Sequence, residues 1–225
     1  MRTSSGTRSH HEQMPRPLRP QFPGAVYHVT ARGIRGSPIF TSASEWRRFL
    51  TLLQDTSAEL IWECFAYCLM TNHYHLVVAT PDPNISLGMH RLNGAYARWF
   101  NRSHGHQGHL FQARFHSALV ERDSHLLEAC RYVVLNPVRA GLVQEASNWA
   151  WSSYRSTVDA DGQPSFIASK ALLELFGPDA DSSRRRFERF VRDGQRSAGP
   201  FPPRPSAWHR DVALADAVGA REVVG

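Results

Sequence analysis

Three groups of side chains in this 225-residue chain could do chemistry: His73-Tyr74-His75, the trio His104, His106 and His109, and the segment holding Tyr132 and Asn136. Alternate residues of an extended strand point to one face, so His73 and His75 would share a side with Cα atoms about 6.6 Å apart. Two ligands of one metal ion can bridge that span. Histidine is abundant here, with 12 in the chain, and roughly 0.6 HxH pairs arise by chance at that frequency. The setting must therefore carry the argument. His104 and His106 form a second pair beside His109 in a glycine-punctuated loop, where no regular element fixes ligand geometry. Contact with phosphate or solvent is the expectation there.

From Ser124 to Asn136, the residues Leu126, Leu127, Ala129, Cys130, Val133 and Val134 supply the buried side of a helix. His125, Glu128, Tyr132 and Asn136 fall on another face. Tyr132 is thus expected on the polar side, with Asn136 as its i+4 neighbour, so a metal or phosphate held by one is within reach of the other. A boundary tyrosine with its hydroxyl in water has the same pattern.

The elements that must position these groups follow from periodicity and punctuation. AVYHVTAR, Ala25 to Arg32, alternates as a strand. Ser42 with Glu45 is a capping box, and Trp46, Phe49, Leu50 and Leu53 recur at helical spacing in a segment ending near Leu60. Ile61 to Leu69 and His73 to Thr80 read as the two strands of a hairpin, closed by Pro81 and Pro83. Asn84 can cap a second helix running to about Asn101, Ser103 to Gly108 is loop, and Phe115 to Glu121 is a fourth strand. Asp123 or Ser124 caps the third helix, which Pro137 terminates.

This βαββαβ order is that of a ferredoxin-like fold: an α+β class with an antiparallel sheet, helices on one face and an added C-terminal helix that carries the tyrosine. Domain boundaries are expected at 1–20 for a flexible basic arm, 21–158 for the catalytic unit and 159–225 for a C-terminal extension. That extension contains a basic amphipathic helix from Ser183 to Gly194, with Phe187, Phe190 and Val191 on one stripe, and a proline-rich tail. A solvated helix packed by its phenylalanine side and a phosphate-contacting helix are both open. The start is Met1 or Met14.

Composition excludes several classes. No apolar run approaches a membrane span and no secretory signal opens the chain, so a cytoplasmic location is expected. Cys64, Cys68 and Cys130 form no CxxC pair, which argues against a thiolate zinc site or a disulfide framework and for core positions. Lys plus Arg at 26 against Asp plus Glu at 20 leaves a net charge of +6, making a polyanion the first partner to consider.

LMTNHYHLVV (Leu69 to Val78), GHLFQARFHS (Gly108 to Ser117) and RYVVLNPVRAGLV (Arg131 to Val143), followed by WAWSSYR, resemble the HUH single-tyrosine transposases. Within these the branch of REP-associated tyrosine transposases is most similar. The resemblance runs from about Pro17 to Arg155. It implies that His73 and His75 are the metal-binding pair and Tyr132 the nucleophile. Asn136 falls where relatives carry a polar third ligand, and direct ligation, ligation through water and helix capping before Pro137 are all open to it.

In such a family the tyrosine attacks a phosphodiester of single-stranded DNA with hairpin ends, giving a 5′-phosphotyrosine and a free 3′-hydroxyl. A free tyrosine with a pKa near 10 is about one part in a thousand phenolate at pH 7, so activation is required. A divalent metal would polarise the scissile phosphate. Two imidazoles suit Mn²⁺ and abundance favours Mg²⁺, so both are candidates. Arg114 and His116 in the second motif, Arg32 and Arg35 after the first strand, and Arg16 and Arg19 in the arm are candidate nucleic-acid contacts. Monomer and helix-swapped homodimer are both compatible with the sequence. One rival reading is a domesticated, non-cutting binder of DNA or RNA hairpins. Another is a zinc hydrolase on His104, His106 and His109, which has no carboxylate at a ligand spacing nearby.

Overall fold

Alternation in β1 (Ala25–Arg32) sends Tyr27, Val29 and Ala31 into one apolar core, leaving Val26, His28, Thr30 and Arg32 on the opposite face of the sheet. The same alternation in β3 (His73–Thr80) buries Tyr74, Leu76 and Val78 with them and puts His73, His75 and Val77 on the other face. In this computed structural model, residues 20–120, 123–159 and 166–195 are described. The expected arm, the tail beyond Gln195, and the candidates Arg16 and Arg19 lie outside them.

Among the described residues, β1, β2 (Glu63–Leu69), β3 and β4 (His116–Leu119) form one antiparallel sheet in the order β2-β3-β1-β4. The α+β, ferredoxin-like expectation holds. A bulge between Cys64 and Ala66 re-phases β2, so Cys64, Tyr67 and Leu69 face the first core while Phe65, Ala66 and Cys68 face the second. The first expected strand boundary shifts: Ile61 is not in β2 but takes a left-handed conformation, φ 54°, that ends the preceding helix.

Helices α1 (Ala43–Leu60) and α2 (Ile85–His104) cover the first face through Phe49, Leu53, Met89, Leu92 and Tyr96. The capping box at the start of α1 forms as expected, with the Glu45 carboxylate receiving the Ser42 backbone N–H at 3.2 Å. Asn84 does not cap α2 with its side chain. Its Oδ1 accepts instead from the Trp62 indole at 2.6 Å, because that ring is wedged under the first turn of α2. Gly88 leaves room for the indole.

The opposite face is covered by α3 (Asp123–Val134), which packs on β2 and β3. Pro137 does not end the helical path. It opens a further turn, α4 (Asn136–Arg139), offset from α3 at Leu135, where a missing N–H costs nothing. Beyond it, α5 (Tyr154–Val158), α6 (Ser169–Glu174) and α7 (Ala180–Gln195) join the second core. Phe187 and Val191 of α7 are buried there, and the Arg131 guanidinium of α3 lies 4.3 Å over the Phe190 ring. Trp149 donates its indole N–H to the Leu69 carbonyl at 3.2 Å, and Trp151 stacks on Trp46 with centroids 4.9 Å apart.

Two outcomes follow for stability and reactivity. A Cβ at Gly88 would lie 2.2 Å from the Trp62 ring. Gly88→Ala must displace the indole and break its bond to Asn84, outweighing the gain of about 1 kcal/mol in helix propensity. A net loss of about 1–3 kcal/mol is expected in urea unfolding. Cys64, Cys68 and Cys130 are buried free thiols as expected, and burial pushes the Cys64 thiol up to about 12 and the other two upward as well. A colorimetric thiol reagent at pH 8 should find none of the three accessible in the native protein and all of them after denaturation.

Candidate active site

Register brings the chemistry together. β1 and β3 pair antiparallel with Arg32 opposite His73 and Thr30 opposite His75, and β4 sets His116 opposite Thr30. All five side chains therefore emerge on the face covered by α3. The His73 and His75 ring centroids are 5.1 Å apart. His28, two residues from Thr30 on the same face, places Nε2 3.0 Å from Nδ1 of His75, with the ring planes within 9°. Burial pushes the His28 imidazole down to about 4, and the neighbouring His116 acts in the same direction. His28 is therefore uncharged at neutral pH.

Tyr132 meets this group from above. Its ring stands edge-on to His28 and His75, each at a centroid distance of 5.7 Å, and the Arg139 guanidinium lies 4.9 Å over its face. The expectation that Tyr132 occupies the polar side of its helix is corrected in one respect: the residue is 5% exposed. Helix α3 is covered by the sheet on one side and by α7 on another, so the face read as polar is the one turned toward the histidines. Asn136 is buried below it, donating Nδ2 to the Tyr132 carbonyl at 2.9 Å and to the Val133 carbonyl at 3.3 Å. Its Oδ1 is thus the amide atom left for a cation, which amides bind through oxygen.

By chemistry the donor set suits a divalent ion of modest softness: two imidazoles 5.1 Å apart at alternate strand positions, and the amide oxygen of Asn136. Among the described residues no group of three or more His, Cys, Asp or Glu side chains is arranged to hold a metal, so water or substrate would complete the shell. Thr30 Oγ1 and Arg32 Nε on the same face are buried without a hydrogen-bond partner among the described residues. Polar atoms left so are suited to an incoming polar ligand.

Arg32 and His116 thus lie beside the histidine pair. Arg35 sits in the loop after β1, exposed and at φ 53°. Arg114 is elsewhere: with Met89, His90 and Phe111 it lines a groove of about 710 Å³ on the α2 side of the sheet. The second histidine pair is also separate. His104 Nε2 lies 2.8 Å from Glu45 Oε1, so folding supplies the carboxylate that local spacing lacked, and that carboxylate is already bound by Thr41 and Ser42 at the start of α1. A structural cap is its visible role. His28, Asn72 and Arg139 were not singled out in the sequence. For His28 the available signal was its place two residues before Thr30 in a strand of period two.

A family model described as IS200-like transposase matches residues 22–136, a span containing β1, the histidine pair and Tyr132. The chain belongs to this family. It is also 26% identical over 140 residues to a Haemophilus influenzae protein provisionally named a REP-associated tyrosine transposase, a match covering 57% of this chain and 80% of that one. The solved structure of a REP-associated tyrosine transposase bound to a REP hairpin aligns with a TM-score of 0.56 at 18% identity, over 68% of this chain and 90% of that chain. The likeness is one of fold.

Glu45 provides a test of the division between the two histidine groups. Glu45→Ala removes the capping-box carboxylate and the partner of His104, and should lower the unfolding free energy by about 1–2 kcal/mol in a denaturant titration. Glu45 bonds Thr41, Ser42 and His104, so the His104 chemical shifts should move most and those of His73 and His75 far less.

Proposed function

We propose that this protein cleaves and rejoins single-stranded DNA at hairpin-forming palindromes by metal-dependent transesterification, with Tyr132 as the nucleophile. The observation that carries the proposal is the position of the Tyr132 ring, 5.7 Å from His75 and under the Arg139 guanidinium, on the face where the histidine pair converges. Family membership and the hairpin in the aligned structure support the choice of substrate.

In the reaction, Tyr132 Oη bonds to the scissile phosphorus as the bond from phosphorus to the 3′-oxygen breaks. The phenol loses its proton, the departing 3′-oxygen gains one, and the strand is held as a 5′-phosphotyrosine. Attack by a second 3′-hydroxyl reverses these steps and frees the tyrosine. His73 and His75, with Asn136 Oδ1, would hold Mg²⁺ or Mn²⁺, which supplies Lewis-acid polarisation of the phosphate oxygens. Arg139 steadies the nucleophile's ring and adds positive charge beside it. Arg32 and His116, on the same face, suit the flanking backbone, and Arg35 and Arg114 suit the strand farther out. The unit carrying this chemistry spans 21–158, with the basic arm and the C-terminal extension outside it.

Labelled oligonucleotides bearing the palindromes that flank the gene, incubated with Mn²⁺ and resolved on a denaturing protein gel, test this directly. Wild type should carry the label covalently. Tyr132→Phe should carry none while keeping hairpin affinity within about twofold, since one hydroxyl is lost from a ring otherwise retained. His75→Ala should cleave at least 100-fold more slowly through loss of a ligand. A labelled Tyr132→Phe protein would overturn the assignment, and tight binding without any adduct in the wild type would establish a non-cutting hairpin binder.

A further inference from the structure

Which nitrogen each histidine of the pair can offer is decided by its neighbours. The Gly36 carbonyl can only accept a hydrogen bond, so the Asn72 amide atom 3.1 Å from it is Nδ2. The other end of that amide, Oδ1, lies 2.6 Å from His73 Nδ1 and can only accept. His73 therefore carries its proton on Nδ1, and Asn72, itself buried, cannot swing away. In a neutral ring this leaves the lone pair on Nε2.

His75 is governed by His28. The two rings are nearly parallel, yet their closest nitrogens are 3.0 Å apart, shorter than the about 3.5 Å at which ring faces meet. The contact is an in-plane N–H···N hydrogen bond, and one ring must donate. Donation by His28 would use the His75 Nδ1 lone pair and leave the His75 proton on Nε2, with no electron pair for a cation. Donation by His75 places its proton on Nδ1 and its lone pair on Nε2.

Resting on the metal-dependent reading above, we propose that His28 and Asn72 are positioning residues that fix His75 and His73 as Nδ1–H tautomers and so direct both Nε2 lone pairs toward one cation. Each accepts the second ring proton of a ligand, the arrangement that sets ring orientation and raises ligand basicity in metal sites. The strand register makes the arrangement a property of the sheet, since His28 reaches His75 only because β1 and β3 pair as they do.

Two measurements on the full chain test the proposal. Long-range ¹H–¹⁵N correlation spectra of the metal-free wild type at pH 7.5 should show His73 and His75 as Nδ1–H tautomers, and an Nε2–H tautomer at His75 would overturn it without any substitution. Mn²⁺ affinity, read from the free-ion electron paramagnetic resonance signal, should fall about 10–100-fold in His28→Phe. His28→Gln, whose amide oxygen restores an acceptor, should return to within a few fold of wild type. A purely structural role would lower thermal stability in both variants without separating them in affinity. If His28→Phe binds Mn²⁺ like wild type while His75→Ala does not, the inference fails and the metal site stands. If wild type binds no Mn²⁺, or His75→Ala binds it unchanged, the metal site fails and the inference with it.

Discussion

Antiparallel pairing of β1 with β3 is the constraint on which the rest of the site depends. It sets Thr30 opposite His75 and Arg32 opposite His73, and because side chains alternate with a period of two, a slip of one residue would send His28, Thr30 and Arg32 to the far core. That slip is opposed by everything packed on the first face. Tyr27, Val29 and Ala31 would then be exchanged for a histidine, a threonine and an arginine beneath α1 and α2. The apolar core therefore secures the register of the polar face from the opposite side of the sheet.

Local patterns in the sequence were enough for most of the scaffold. β1, β3 and α1 begin and end where alternation, the capping box and proline punctuation put them, because those signals act within a few residues. Expectations failed where a distant partner intervened. Asn84 looks like a cap until Trp62 claims its carbonyl, and His104 looks like part of a loop cluster until Glu45 arrives from α1. Tyr132 was assigned to the polar side because a helix packed on two sides has no single apolar stripe to read. His28 escaped notice for the plainest reason: one histidine among apolar neighbours says nothing about which strand it will lie beside.

The two histidine pairs show how context separates like motifs. His73 and His75 leave the sheet at alternate positions under a helix that brings a tyrosine and an amide. His104 and His106 flank the glycine that ends α2, and His104 is taken up by a carboxylate already committed to capping α1. The spacing H-x-H is common to both. What differs is whether the backbone beneath it is regular enough to set both rings on one face of a sheet.

Tyr132 belongs to the last turn of α3, and this has an electrostatic consequence. Aligned peptide dipoles leave the C-terminal end of a helix with roughly half a negative charge, which favours cations and repels anions. A phosphodiester approaching this tyrosine comes to the unfavourable pole, unlike the many phosphates held by the N–H groups at the opposite end. The groups a helix leaves free at this end are carbonyls, and the Asn136 amide donates to two of them. On the reaction proposed above, positive charge would come from side chains and a bound cation instead. On that proposal, the short turn opened by Pro137, by carrying Arg139 back over the ring, reverses the sign of the helix terminus where the phosphate would be received.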